Sequence, residues 1–345
     1  MINMTDVVIS INGANVSGSF DQYLQSISIT LKAGGASDSC EITLDDSGGI
    51  LIFPEKDAEI EVQMTGGTSG GQTVFKGKVD EARSDGSRSS GMTLSISAKG
   101  VDTKGKAKEP KRKHWDKKSA KDVLTEAGKA AGISDVKVAP ALASKVRDYW
   151  AQQNESFLHF GERIAREIGG TFKIVGKTAI LADRNEGQSA SGQALATVTA
   201  ARYDNLISWS ITPSAGRPRY KKVKVRHYDS KTAEWKDKEV EIAGDDKAEA
   251  TLTDRFTAAD AGEAEDRAKS RKKESEREKG GGSITIDGNP LLQPECPVVV
   301  IGARPGIDGE YKADSVTHAW QRGQGWTSRA ELKKPAGDAG KDSRG

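Results

Sequence analysis

The first hundred residues of the chain alternate between apolar and polar positions. Ile27, Ile29 and Leu31 are separated by single polar residues, and the same alternation recurs at 60–64 and 92–98. A period of two is typical of strands that have one buried face and one wet face. Clusters of glycine, asparagine and aspartate interrupt the pattern, so this region predicts an antiparallel sandwich or barrel.

A second region with the same period begins near Tyr203. Ile207, Trp209 and Ile211 alternate with polar residues, and the segment 222–226 alternates valine with lysine or arginine. The chain therefore contains a second β-rich part. Four further strands are predicted at 283–287, 298–301, 310–320 and 326–333.

Between the two β-rich parts the pattern changes to the period of a helix. Apolar residues spaced three and four apart over 157–168 predict a helix with one apolar face. Asn154 can cap the start of this helix, and Gly169 can end it. Two short β-like runs, 171–175 and 178–182, follow and predict a hairpin.

Two more helices are predicted from capping residues and apolar spacing. One runs over about 119–131, with Ser119 and Asp122 forming a partial capping box. The other runs over 256–279 with Thr257 as its N-cap, and its apolar stripe consists mainly of alanines. A helix this polar is expected to pack lightly, against a sheet or a neighbouring subunit.

These elements predict a mainly β fold with an α+β insertion. Two antiparallel β-barrel or sandwich domains flank a small helix–hairpin domain. The predicted boundaries are 1–103 for the first β domain, 104–200 for the insertion, 201–334 for the second β domain with one helix at about 257–279, and 335–345 for a disordered polar tail.

Composition allows two or three domains in a chain of 345 residues. No run of eighteen apolar residues exists, and the N-terminus lacks a basic region followed by an apolar one, so neither a membrane helix nor a secretory signal is predicted. Cys40 lies in phase with apolar neighbours and is predicted to be a buried free thiol. A bridge between Cys40 and Cys296 stays open.

The net charge of +2 conceals a lysine-rich segment at 99–118. Clustered lysines can neutralise phosphates, which would suit a nucleic-acid partner. A solvated crossover between domains is the favoured interpretation, because most runs of charge are surface.

The sequence contains no recognisable catalytic or metal-binding motif. The four histidines have no paired metal spacing, and His227 and His318 fall on predicted strands, where a hydrogen-bonded core or interface role is favoured. The glycine-rich segments lack the lysine and following helix of a phosphate loop. Asp45 and Asp46 precede a Gly-Gly turn and suit turn chemistry better than catalysis. We therefore expect a protein that is not an enzyme and has no cofactor or bound metal.

One succession of segments runs through most of the chain. It starts with LDDSGGILIFPEKDAEIEVQM at 44–64 and ESFLHFGERIAREIGGTFKIV at 155–175, and continues with AGEAEDRAKS, GNPLLQPECPVVVIG, GEYKADSVTHAW and GWTSRAELKK. Taken in this order, the segments resemble the late control protein D or baseplate hub family of contractile-tailed phages. The first is similar to that family's strands and acidic turn, and the second to its helix and hairpin. The resemblance runs from about Val7 to Lys333. Glu295 and Cys296 stand where a glycine-containing turn is expected, and the loop at 304–308 is short.

The resemblance implies a tail-tube subunit duplicated within one chain. Two tube-like β-barrel domains per chain and three chains would form a homotrimeric ring with six similar units. Such a ring would join the hexameric tail tube to the trimeric central spike and leave a bore through which DNA passes as cargo. The implied partners are the tail tube protein, the spike protein, and baseplate wedge and tape-measure proteins, in a virion baseplate whose parts are synthesised in the host cytoplasm.

The candidate site residues are four cations on the polar face of one predicted strand: Lys221, Lys222, Lys224 and Arg226. They could face the bore, a neighbouring subunit or solvent, and the sequence does not choose among these.

Three alternative functions stay open. The first is the hub of a phage-like contractile injection system, which delivers protein. The second is a cell-wall glycan-binding module built on the helix–hairpin insertion. The third is a nucleic-acid-binding regulator, although the sequence lacks a helix-turn-helix or a basic sheet interleaved with aromatics.

Overall fold

The computed structural model describes residues 6–34, 37–66, 69–89, 91–100, 105–188, 193–214, 220–229, 231–242, 248–342 and 344. Its strands are β1 (Asp6–Ile11), β2 (Ala14–Asn15), β3 (Leu24–Lys32), β4 (Ser39–Asp45), β5 (Glu59–Gly66), β6 (Ser69–Ser87), β7 (Gly91–Lys99), β8 (Lys111–Ser119), β9 (Asp135–Val138), β10 (Val146–Glu155), β11 (Gly170–Val175), β12 (Thr178–Asp183), β13 (Val198–Ala201), β14 (Leu206–Thr212), β15 (Lys222–Asp229), β16 (Glu234–Glu241), β17 (Thr251–Thr253), β18 (Gly281–Asp287), β19 (Pro297–Ile301), β20 (Gly309–Gln321) and β21 (Gly325–Ala336). Its helices are α1 (Ser17–Phe20), α2 (Ala120–Ala130), α3 (Pro140–Ala143), α4 (Phe157–Ile168) and α5 (Ala261–Arg277). None of these helices is long and apolar enough to cross a membrane.

Thirteen strands of the described chain form one large sheet. Its order is β14-β18-β21-β20-β3-β4-β7-β6-β5-β1-β2, and β19 pairs with both β20 and β13. Three smaller sheets are β10-β8, β11-β12-β9 and β16-β15-β17. The predicted mainly β fold with an α+β insertion is confirmed.

The large sheet contains one six-strand order twice. We call β3-β4-β7-β6-β5-β1 unit 1 and β14-β18-β21-β20-β19-β13 unit 2, and each strand of one unit has a counterpart at the same place in chain order. The pairing of β1 with β5 is antiparallel, whereas that of β13 with β19 is parallel. The pattern L-x-S-x-S-I-T occurs in both β3 and β14, and ITLD of β4 returns as ITID of β18.

The registers of the two units coincide in four of their five strand pairs, all except β1–β5 and β13–β19. The long strands β6 and β20 both carry an irregularity, at Asp80 and Asp314, where one residue is left without a cross-strand partner in β7 and β21 respectively. A bulge of this kind bends a strand and increases its twist. The two units therefore share the residue pairs of these four strand pairs as well as their strand order. Corresponding pairs are Leu24–Leu44 and Leu206–Ile286, Asp45–Thr93 and Asp287–Thr327, Lys78–Lys99 and Lys312–Lys333, and Ile60–Gly77 and Val298–Tyr311.

A first insertion, residues 105–188, lies between the units in the chain and has its own apolar core. Helices α2 and α4 bury Leu124, Phe157 and Phe160 against the small sheets. The predicted hairpin is observed as β11 and β12, and Gly169 adopts the left-handed conformation at the end of α4.

Two sequence predictions for this insertion were wrong. The N-cap of α4 is Ser156, not Asn154, because the Ser156 hydroxyl accepts a hydrogen bond from the His159 N–H at 3.2 Å. The lysine-rich segment was predicted to be a linker, but Lys111–Ser119 is strand β8, paired with β10. Only Trp115 of β8 is buried, so its pattern gave no period-two signal.

A second insertion, between β14 and β18, was not separated from the β domain by the sequence. It holds the sheet β16-β15-β17 and helix α5, with a small core of Val223, Val225, Ala264 and Ala268. Helix α5 begins at Ala261, later than predicted, because Asp260 rather than Thr257 is its N-cap and accepts from the Glu263 N–H at 2.8 Å.

The polar tail predicted from residue 335 begins inside strand β21, which runs to Ala336. A turn follows, in which the Gly340 N–H donates to the Gly306 carbonyl at 2.9 Å. Cys40 and Cys296 are both free and buried, so they form no bridge. Burial raises the pKa of both thiols, that of Cys296 to about 11. Glu295 has φ of 70°, the left-handed conformation for which the sequence led us to expect glycine.

Candidate assembly interface

The four candidate cations lie on or beside β15, in the second insertion and apart from the large sheet. Lys222 Nζ is 2.7 Å from Glu239 and Lys224 Nζ is 2.8 Å from Asp237, both on the neighbouring strand β16. The Arg226 guanidinium lies 5.3 Å from the Trp235 ring centroid. Lys221 precedes the strand and is exposed. The structure therefore brings the four cations to one small sheet, where at least two are neutralised by carboxylates.

The described residues contain no group of histidine, cysteine and acidic side chains that could hold a metal ion. His227 and His318 are both buried, as the sequence predicted. His318 is bound on both sides of its ring, with Nδ1 2.8 Å from Ser328 Oγ and Nε2 3.1 Å from the Leu292 carbonyl oxygen. Burial lowers the pKa of His318 to about 4, so the ring is neutral near pH 7.

The two units are joined by one strand pair, β3 with the second half of β20. The pairing is antiparallel and brings Thr30 opposite Thr317 and Ile29 opposite His318. On the core side, Ile29 and His318 are fully buried. On the polar side, the hydroxyl oxygens of Thr30 and Thr317 lie 3.4 Å apart. We call this pairing the joint.

Arg322, in the turn after β20, stabilises the end of the joint through hydrogen bonds to backbone carbonyls. Its Nε donates to the Leu24 carbonyl at 2.7 Å, and its Nη2 donates to the Asp21 carbonyl. The Arg322 backbone N–H donates to the Gln25 carbonyl at 2.9 Å. Three donors from one residue thus bind the start of β3, and charged donors make the stronger hydrogen bonds.

Each unit also has a strand edge that borders only one neighbour in the described chain. β14, the counterpart of β3, pairs with β18 alone, and the second half of β6, the counterpart of β20, pairs with β7 alone. Apolar side chains on β14 are correspondingly exposed. Ile207 is 54% exposed. Trp209 and Ile211 are partly exposed, whereas their two counterparts in β3, Ile27 and Ile29, are buried.

One face of the large sheet is polar across both units. Directly opposed residues place hydroxyl-bearing and charged side chains in continuous rows along this face. One row runs through Arg83, Ser95, Thr43 and Ser26, and another through Thr30, Thr317, Arg329, Thr285 and Ser208.

A buried ionic network ties both insertions to unit 2. Arg277 of α5 lies 2.9 Å from Glu295 Oε1 and 2.6 Å from Asp314 Oδ1, and it donates to Asn185 Oδ1 at 2.9 Å. Arg277 and Glu295 are both buried, so the Glu295 carboxylate gains a compensating charge from Arg277, while Arg277 is compensated by both Glu295 and Asp314. The network joins α5, the end of the first insertion and the bulge of β20.

The sequence matches a family model described as phage tail baseplate hub (GPD) over residues 29–324. The probable baseplate hub protein of Escherichia phage P2 is 25% identical over 201 residues, which are 58% of this chain and 50% of that protein. The chain therefore spans about half the length of this curated relative.

Two solved structures share the fold of this chain over most of its length. The tail protein from Neisseria meningitidis MC58 has a TM-score of 0.71 at 16% identity, over 95% of this chain and 96% of that one. The E. coli c3393 protein, a component of the type VI secretion system, has a TM-score of 0.56 at 12% identity, over 96% and 78%. At such low identities the likeness concerns the fold.

Proposed function

The chain belongs to the phage tail baseplate hub family, and from that membership we propose that it is the structural hub of a contractile tail baseplate. In this role three copies form a ring that joins the hexameric tail tube to the trimeric central spike. The protein works by adapting symmetry and uses no catalytic residue or cofactor. Its place is the virion, after synthesis in the host cytoplasm.

The observation that carries this proposal is the repeated unit. Each chain supplies two copies of one six-strand order, with coinciding registers in four of the five strand pairs. Three chains then supply six similar units for the sixfold tube, while the ring keeps true threefold symmetry for the spike. A homomeric ring of this kind closes on itself and leaves no strand edge free for further pairing.

We assign the bore to the polar face of the large sheet. Its rows of hydroxyl groups cross both units, so a ring built from these sheets would have a continuous hydrophilic lining. Baseplate wedge and tape-measure proteins would meet other surfaces, including the insertions.

The four cations remain a separate hypothesis for the bore or for a neighbour. Lys222 and Lys224 already pair with carboxylates, which argues against a dedicated role in guiding DNA. Lys222→Gln and Lys224→Gln variants in an assembled tail should therefore leave the rate of DNA ejection unchanged. A clear loss of ejection would restore these lysines as bore residues.

A second candidate function is the hub of a contractile injection device. The fold likeness to a type VI secretion component supports it. Genes for capsid or terminase beside the coding gene would favour the phage tail, and their absence from the locus would favour the injection device.

The deciding experiment is the mass of the purified protein in solution, alone and mixed with the trimeric spike protein of the same locus. A trimer, or a three-to-three complex with the spike, is the expected result. A chain that stays monomeric alone, with spike and with tube protein would overturn the ring.

A further inference from the structure

We infer that neighbouring copies of this chain join through β6 of one copy and β14 of the next, in the register of the joint. This inference rests on the proposed ring and specifies its contact residue by residue. The joint pairs β3 with β20, and β14 and β6 are the counterparts of those two strands. The chain thus contains one copy of the contact that would hold it to its neighbour.

The register follows from the residue pairs of the joint. Trp320–Ile27, Ala319–Ser28, His318–Ile29 and Thr317–Thr30 face each other across it. Replacing each residue by its counterpart in the other unit gives the pairs between copies. These are Gly86–Trp209, Asp85–Ser210, Ser84–Ile211 and Arg83–Thr212.

The side chains at these positions fit one another. In the joint the large residue is Trp320 of β20 and it faces Ile27, whereas between copies Trp209 of β14 would face Gly86. A glycine opposite an aromatic leaves room for the ring to cover the strand. No two like charges would face each other, which is a condition for a stable cross-strand pair.

Burial supports the same assignment. Ile29 is fully buried because β20 covers the edge of β3, whereas its counterpart Ile211 is partly exposed. Pairing with β6 would cover Ile211 and Trp209 as β20 covers Ile29 and Ile27. It would also occupy both strand edges, which otherwise invite uncontrolled association.

Arg88 gives an independent indication. It occupies the turn after β6, at the position that Arg322 occupies after β20. Arg88 is exposed, and within the described ranges no hydrogen bond or ion pair holds it. By correspondence with Arg322, it would donate to the carbonyls of Leu206 and Tyr203 in the neighbouring copy. Arg88 would therefore hold the contact between copies through hydrogen bonds to backbone carbonyls, as Arg322 holds the joint.

Paired cysteines test the register. Arg83→Cys and Thr212→Cys in one chain place thiols at the counterparts of Thr30 and Thr317, whose side-chain oxygens are 3.4 Å apart. The native Cys40 and Cys296 are buried, so they should form few disulfides of their own under mild oxidation. Mild oxidation of the full chain, assembled with its spike protein, should give disulfide-linked dimers and trimers on a non-reducing gel, with no larger species.

Two matched variants serve as controls. Arg83→Cys with Ser208→Cys keeps both thiols on the polar face but moves one four residues along the strand, about 13 Å away, and should crosslink at least tenfold less. Thr30→Cys with Thr317→Cys should form a disulfide within one chain and leave the mass on the gel at that of a monomer.

The outcomes separate this inference from the proposed function. A trimer in solution without the Arg83–Thr212 crosslink, or with a stronger Arg83–Ser208 crosslink, would overturn the register and leave the ring standing. A strict monomer under every condition would overturn both. Disulfide-linked species larger than a trimer would show an open chain of copies instead of a closed ring.

Arg88→Ala supplies a readout that does not need cysteines. Loss of a charged donor to two carbonyls should weaken trimer formation about tenfold or more. Arg112→Ala, on the exposed face of β8, is the control and should leave the trimer unchanged. Equal trimer formation by the Arg88→Ala variant and the native chain would remove Arg88 from the contact.

Discussion

Unit 1 and unit 2 have the same strand order and the same register in four of their five strand pairs, but they differ in the segments that connect the strands and in the strands that border them. Residues 33–38 connect β3 to β4 in unit 1, whereas unit 2 accommodates a sheet and helix α5 between the corresponding strands β14 and β18. In unit 1 the edge of β3 is covered by β20, while its counterpart β14 is open in the described chain. The comparison shows that the cross-strand residue pairs define the repeated unit. The two units differ in their connecting segments and in the neighbours of their edge strands.

The largest effect is expected from breaking the ionic network found in unit 2. The counterparts of Glu295 and Asp314 in unit 1 are Asp57 and Asp80, and among the described residues no helix corresponding to α5 lies between β3 and β4. Arg277→Ala should lower the free energy of unfolding by about 3–5 kcal/mol, because it leaves Glu295 buried without its partner. Urea unfolding measures the loss.

Lys269→Ala on the same helix is the matched control. Its pair with Glu265 lies at the exposed face of the helix, so the variant should lose at most about 1 kcal/mol. Equal losses for the two variants would show that the Arg277 network does not hold the insertion to unit 2.

The next effect compares the covered edge with the open one. Ile29→Ala should cost about 2–5 kcal/mol in the monomeric chain, because Ile29 is fully buried at the joint. Ile211→Ala at the corresponding position should cost clearly less, since Ile211 is only partly buried. Chemical unfolding of both monomeric variants measures the difference. In the assembled ring, Ile211→Ala should lower the free energy of unfolding more than it does in the monomer, because β6 of the neighbour would cover Ile211. If the difference between the two variants is the same before and after assembly, β14 is not covered in the ring.

A third test uses the titration of His318, whose counterpart Ser84 does not titrate. The folded pKa of His318, about 4, lies below its ordinary value of 6.5. Between these values the unfolded chain binds a proton that the folded chain does not, so this group's contribution to stability is full above pH 6.5 and is lost as the pH falls to 4. The expected loss is roughly 3 kcal/mol at most.

Urea unfolding at pH 7 and pH 4.5 checks this prediction. The variant His318→Gln should lack this part of the pH dependence, whatever its stability at pH 7. The same change in stability between the two pH values for variant and native chain would show that His318 is not the group responsible.

The smallest effect concerns the start of α5, the helix that lies between β14 and β18 of unit 2. Asp260→Ala should lower the free energy of unfolding by about 1 kcal/mol, because the Asp260 carboxylate accepts from the Glu263 N–H. Thr257→Ala, at the cap predicted from sequence, should change it by less than about 0.5 kcal/mol. Thermal unfolding resolves the two, and a larger loss at Thr257 would contradict the observed helix start.

Many strands of the large sheet could be predicted from sequence because one of their faces is buried. Ile27, Ile29 and Leu31 show this period plainly, and a period of two needs no knowledge of the partner strand. β8 was missed for the opposite reason, since it buries only Trp115 and carries its lysines towards solvent.

The candidate interface was beyond periodicity alone. The sequence placed Lys222 and Lys224 on the polar face of a strand, where the structure also has them. It could not predict which sheet contains that strand, because this depends on pairing with other segments of the chain. One available signal was overlooked. The pattern shared by 24–30 and 206–212 marks β3 and β14 as counterparts, and it would have pointed to the open edge of β14.

The bulges at Asp80 and Asp314 set how this chain can change in length during evolution. Residues that face the core have odd numbers before each bulge, such as Val79 and Ala313, and even numbers after it, such as Val316 and His318. Deleting the bulged residue would keep Val79 opposite Ala98 and Ala82 opposite Ile96, whereas deleting a residue elsewhere in the strand would turn every later side chain to the opposite face. Between β14 and β18, by contrast, a whole helix and sheet have been accommodated without altering one residue pair. Insertions are therefore tolerated according to their position relative to the strand pairs, and hardly at all according to their size.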